Sequence, residues 1–131
     1  IRMQAHEKSA IEIATYLEKQ SYIKSVTFPA LKSHPQYELA QKQMDIVPGV
    51  FCVEFTSVGL AEKFIENTEI YGEKCSFGSP DSRVEIPAKI SHATFSEEEL
   101  AAIGIKPSTV RFSIGLESVE DLIQDIEQAV Q

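Results

Sequence analysis

The chain has 131 residues, 43% hydrophobic and 24% charged, with a net charge of −8. That length supports one domain with one sizeable core, in the composition range of ordinary globular proteins. No apolar run approaches the roughly 20 residues of a membrane span, no signal-peptide pattern opens the chain, and the acidic chain has no Lys/Arg cluster to engage nucleic acid.

Along the chain, Met3 to Lys19 reads as a helix, because Ala10, Ile13, Ala14 and Leu17 recur at 3- and 4-residue steps. Tyr22 to Phe28 reads as a strand ended by Pro29. Ser33-His34-Pro35-Gln36 has the pattern of a helix start, with Ser33 as cap and Gln36 as its reciprocal partner, for a helix running to about Met44. Pro48-Gly49 marks a turn before a central strand, Val50 to Thr56, with Phe51, Val53 and Phe55 on one side. A short helix over 57–67 follows, carrying Leu60, Ala61, Phe64 and Ile65.

Residues 69–94 read as short strands broken by Gly72, Gly78, Pro80 and Pro87. Ser96 and Glu99 form a capping box, with Phe95 set to staple onto Leu100 and Gly104 ending the helix. The chain closes with a strand, Val110 to Ile114, and a helix capped by Ser118, with Leu122, Ile126, Ala129 and Val130 as its apolar stripe. Alternating strands and helices predict a sheet covered on one side by helices.

Cys52 and Cys75 make no disulfide framework, and reduced thiols in the cytoplasm are the expectation. His6, His34 and His92 lack the spacing of metal ligands, and no metal site is expected. Gly-x-Ser-x-Gly and Gly-rich phosphate loops are absent, and Ser76-Phe77-Gly78-Ser79 reads as a plain loop. The informative stretch is Val110-Arg111-Phe112-Ser113-Ile114, whose alternation puts Arg111 opposite the apolar side chains. A planar guanidinium there suits a two-pronged grip on a carboxylate, although arginines on half-solvated sheets are also common.

The ending from Leu100 to Val130, with Val110-Arg111-Phe112-Ser113-Ile114-Gly115-Leu116-Glu117 at its centre, resembles that of the Cys/Met-metabolism family of pyridoxal-phosphate (PLP) enzymes, which includes cystathionine γ-synthase and the cystathionine lyases. Arg2-Met3 with His6 and Ala10, Val26-Thr27-Phe28-Pro29-Ala30-Leu31-Lys32-Ser33-His34-Pro35, Ser76-Phe77-Gly78, Pro87-Ala88 and Ser91-His92 match further family segments in order. The resemblance implies an α+β fold: a small, mostly antiparallel sheet covered on one face by helices, as in the C-terminal domain of fold-type I PLP enzymes. It implies that 1–131 is one substrate-carboxylate-binding domain, and that helix 1–19 enters it from a PLP-binding domain. Arg111 is then the arginine on the substrate α-carboxylate, Ser76 assists there, and Ser91 lines the same region.

The family's Schiff-base lysine lies in a Ser-x-Thr-Lys stretch, whereas Ser25-Val26-Thr27 is followed here by Phe28. The chain alone should therefore hold no PLP, contain no catalytic residue and be inactive. The implied whole is a cytoplasmic homotetrameric lyase or γ-replacement enzyme acting on cystathionine, an activated homoserine or a related sulfur amino acid, with the isolated domain monomeric or weakly associated. The alternative is a free-standing α+β ligand-binding or regulatory module. Ser79-Pro80, Arg83 and Cys75 depart from the family pattern, Cys75 standing where many members carry glutamate.

Overall fold

The computed structural model describes residues 1–131. Its elements are α1 (Arg2–Leu17), β1 (Ile23–Thr27), α2 (Tyr37–Gln43), β2 (Val50–Phe55), α3 (Val58–Asn67), β3 (Gly72–Glu73), β4 (Arg83–Glu85), α4 (Glu97–Ala102), β5 (Thr109–Ser113) and α5 (Val119–Val130). The five strands form one sheet in the order β1-β2-β5-β4-β3. Every pairing is antiparallel except β3 with β4. The α+β architecture is the one expected.

Strand alternation divides the sheet into two chemically different faces. Phe51, Val53 and Phe55 of β2, Val110 and Phe112 of β5, and Val84 of β4 are buried on one face. They share a core with Ala10, Ile13, Ala14 and Leu17 of α1, Ala61 and Phe64 of α3, and Leu122, Ile126 and Ala129 of α5. Phe112 is its centre: its ring lies 5.3 Å from Phe51, 5.4 Å from Phe64 and 5.6 Å from Tyr71. Burying such a side chain contributes about 1.5–3 kcal/mol, so β5 cannot slip by one residue without exposing it. The lock on Phe112 therefore fixes the outward direction of its neighbour, Arg111.

Most of the helix signals are realised. The Ser96–Glu99 capping box is complete and the Ser118 hydroxyl accepts from the Asp121 N–H, while Ser57, not read as a cap, accepts from the Leu60 N–H. Gly104 ends α4 at φ +76°. Its N–H bonds the Ala101 carbonyl while the Ile105 N–H bonds that of Leu100, the two bonds of a Schellman turn.

The expected cap at Ser33 does not form. Helix α2 starts after Gln36, which makes no side-chain cap bond, and the Ser33 hydroxyl donates to Glu18 instead. The reason is local: His34 precedes a proline, which disfavours helical backbone at that residue. Residues 31–36 form turns, and His34 Nδ1 accepts the Gln36 N–H at 3.1 Å.

Asp125 ties α5 to the turn after α3. Its buried carboxylate accepts from the Thr68 hydroxyl at 2.5 Å, the N–H groups of Glu69 and Ile70 at 2.9 and 2.8 Å, and the Gln128 amide at 2.9 Å. Burial alone raises its pKa, but the bonds from Thr68, Glu69, Ile70 and Gln128 outweigh it and hold the pKa below the usual value. A carboxyl depressed in the folded state adds stability above its unfolded pKa of about 3.9, and that contribution is lost as pH falls through the lower folded value. Asp125→Asn should therefore cost about 2–4 kcal/mol at pH 7 in urea denaturation. The gap from the parent chain should narrow as pH drops below about 4; a constant gap would contradict the assignment.

Candidate functional site

The sheet face turned away from the helix-packed core is polar. The β2–β5–β4 register sets Cys52, Arg111 and Glu85 in one row across three strands. Arg111 Nη2 forms an ion pair with Glu85 Oε1 at 3.0 Å. The Glu85 side chain is 1% exposed and that of Arg111 19%. A carboxylate this deep needs a cation, and Arg111 supplies it. The same Nη2 contacts Cys75 Sγ at 3.7 Å, and the guanidinium carbon lies 5.8 Å from the Phe77 ring centre, within cation–π reach.

Glu85 holds the guanidinium by one nitrogen only, and the thiol contact is long and weak. Arg111 Nε and Nη1 make no protein hydrogen bond. Each two-nitrogen edge of the guanidinium includes Nη2, so a carboxylate can take such an edge by displacing the thiol from that nitrogen. Cys52, below Arg111, is a neutral thiol: burial pushes its pKa up, the Arg111 charge opposes this, and the Glu85 charge adds to it.

Ser91 reaches the cluster from the turn after β4, its hydroxyl donating to Glu85 Oε1 at 2.8 Å. Ser76 lies between Cys75 and Phe77, the two residues that touch Arg111, but its own side chain makes no hydrogen bond. The structure thus gathers Arg111 and Ser91 on one carboxylate and sets Ser76 in the loop beside them. Glu85, the carboxylate that joins them, escaped the sequence reading. Its only local signal was an acid two residues after Arg83 and one after the core-facing Val84.

The loop over Arg111 is clamped from the strand that carries it. Beyond the end of β5, the Leu116 N–H bonds the Pro80 carbonyl at 2.7 Å and the Gly115 N–H bonds Ser82 Oγ at 2.8 Å. The Glu117 carboxylate accepts from the Ser82 N–H and hydroxyl at 2.7 and 2.8 Å. A Cβ on Gly115 would stand 2.6 Å from Ser82 N and from Glu117 Oε2, and closer still to the Pro80 carbonyl. Only glycine permits this approach.

Residues 1–131 match the sequence model of the Cys/Met metabolism PLP-dependent enzymes. The chain belongs to that family. It is 37% identical to a cystathionine beta-lyase of Lactococcus lactis over 131 residues, all of this chain and 34% of that protein. It is 38% identical to the cystathionine gamma-lyase of Dictyostelium discoideum over 132 residues, 99% of this chain and 34% of that protein. The L-methionine gamma-lyase of Treponema denticola is 38% identical over 133 residues, 99% of this chain and 33% of that protein. A Campylobacter jejuni crystal structure, assigned as an O-acetylhomoserine (thiol)-lyase and carrying N'-pyridoxyl-lysine-5'-monophosphate, superposes with a TM-score of 0.95 at 33% identity. That match covers 98% of this chain and 31% of the other. The chain spans about a third of the length of these relatives.

The family is PLP-dependent, but the Arg111 cluster does not fit the cofactor. Its members are Cys52, Cys75, Phe77, Glu85, Ser91 and Arg111, with no lysine for a Schiff base. Lys24, Lys89 and Lys106 are paired with Glu54 and Glu62 elsewhere on the surface.

Two stability measurements check this construction. Arg111→Met leaves Glu85 buried and unpaired and should cost on the order of 3 kcal/mol in urea denaturation. Adding Glu85→Gln should recover most of that loss; an equally unstable double variant would show that the pair is not what Arg111 supports. Gly115→Ala should cost more than about 3 kcal/mol or prevent folding, and a mild effect would contradict the close loop approach.

Proposed function

We propose that this chain is the substrate-carboxylate-binding part of a PLP-dependent enzyme of sulfur amino acids, within a protein about three times its length. The carrying observation is Arg111: a guanidinium on the polar face of the sheet, anchored through one nitrogen by a buried carboxylate, with its remaining donors free. The family membership and the names of its relatives point to carbon–sulfur chemistry on cystathionine, an activated homoserine or a related amino acid.

In this reading the chain performs binding and orientation. Arg111 takes the α-carboxylate in a fork that a lysine could not reproduce. Ser76, in the loop above, assists at the same group, and Ser91 lines the region. Holding the carboxylate fixes the rotation of the amino acid and hence which bond is presented for cleavage. PLP, which acts as an electron sink in such chemistry, is held by the rest of the protein. The chain alone binds no PLP and is inactive. Both cysteines are free, which suits a reducing cytoplasm. A homotetramer is the proposed assembly of the whole enzyme.

The test is kinetic, on the complete PLP-loaded protein with L-cystathionine. Arg111→Ala should lower kcat/KM roughly 10- to 150-fold, the range for losing a charged hydrogen bond. Cofactor absorbance should be unchanged, and Arg111→Lys should recover only part of the loss. The 131-residue chain mixed with PLP should develop no Schiff-base absorbance. An Arg111→Ala enzyme with normal kcat/KM would overturn the assignment.

A further inference from the structure

The Arg111–Glu85 ion pair is the inner end of a longer polar chain. Arg111 Nη2 is on Glu85 Oε1 at 3.0 Å, Ser91 Oγ is on the same oxygen at 2.8 Å, and His92 Nδ1 is 2.9 Å from Ser91 Oγ. The directions follow from proton counting. Ser91 Oγ donates to Glu85 Oε1, the oxygen that also faces the Arg111 guanidinium. The single proton of Ser91 is therefore committed to Glu85, and Ser91 Oγ can face the imidazole only as an acceptor. His92 must carry its proton on Nδ1. Glu85 Oε2, buried and without a partner, adds nothing to the hold on the carboxylate. Its position is set through Oε1 alone.

His92 is fixed independently of this chain. Its N–H bonds the Pro87 carbonyl at 2.8 Å, and its ring packs edge-on against Phe95 at 5.0 Å. The turn over 86–92 thereby brings an imidazole donor to a definite point behind Ser91. We infer that His92 is a positioning residue: it donates Nδ1–H to Ser91, which commits the Ser91 proton to Glu85 and so holds Arg111 in the orientation that receives a carboxylate. This inference rests on the carboxylate-binding reading of Arg111, and it makes Ser91 act through Glu85.

Two measurements test it. In the 131-residue chain, long-range ¹⁵N–¹H correlation at a pH of about 8.5, where imidazole is ordinarily neutral, should find His92 as the Nδ1–H tautomer. Ser91→Ala should abolish that preference. An Nε2–H form in the parent chain, or a tautomer indifferent to Ser91→Ala, would overturn the inference.

In the complete PLP-loaded protein with L-cystathionine, His92→Phe keeps a ring against Phe95 but removes the donor. It should raise KM about fivefold with kcat little changed, as expected for one lost neutral hydrogen bond that acts on binding. His92→Asn, which can place an amide donor near the Nδ1 position, should restore KM. Combined with Ser91→Ala, His92→Phe should add no further effect, because the relay is already cut; independent, additive effects would refute it. If Arg111→Ala left kcat/KM unchanged, the carboxylate reading would fail while the tautomer result still stood.

Discussion

Glu85 and Arg111 meet across the β4–β5 ladder, and much of the polar face is arranged around their charges. A carboxylate 1% exposed is stable only with a cation and further donors around it. Arg111 supplies the cation from β5 and Ser91 a donor from the turn after β4. The pair is not the cheapest way to fill this space: a well-packed apolar pair in a buried site is often as stable or more so. Its distinctive effect is geometric. It holds a guanidinium by one nitrogen near a surface where the remaining donors face no protein acceptor.

The core determines where that guanidinium points. Phe112 and Arg111 are adjacent, so the pleat sends one into the aromatic cluster and the other to the opposite face. The chain just after the same strand shapes the cover above it. Gly115 allows the 80–82 segment to approach, and Glu117 fastens Ser82, so the loop bearing Cys75, Ser76 and Phe77 is referenced to the strand that carries Arg111. Strand, ion pair and loop are thereby joined in one hydrogen-bonded and ion-paired frame.

How far the sequence disclosed this depended on whether the signal was local. The alternation through 110–114 and the caps at Ser96 and Ser118 involve partners within four residues, and they are legible. Ser33 misled because its capping pattern is local but its proline neighbour overrides it, and Glu18, its actual partner, is fifteen residues away. Glu85 was illegible for two physical reasons. Its strand has three residues, too few to show a period, and its partner Arg111 is set by a long-range register. Ser76 and Ser91 came from family resemblance alone, since an isolated serine carries no pattern. The contact of His92 with the adjacent Ser91 has no periodic signature.

The departures from the family pattern fall on this frame and alter its charge. The family resemblance places Cys75 at a position where many members carry glutamate. A second carboxylate there would compete with a substrate for the guanidinium that Glu85 already half neutralises. A thiol 3.7 Å from Nη2 competes far less, and it leaves Arg111 with a more positive local potential. Arg83, on the same face two residues before Glu85, adds a second guanidinium, paired at 2.5 Å with Asp81, which is itself in the covering loop. Arg83 is thus answered by an acid of the loop itself. The two fasten the loop by charge, beside the Ser82–Glu117 bonds that fasten it by hydrogen bonding. The edge of the sheet beside Arg111 accordingly carries a neutral thiol contact at position 75 and an ion pair at 81–83 that ties the loop down.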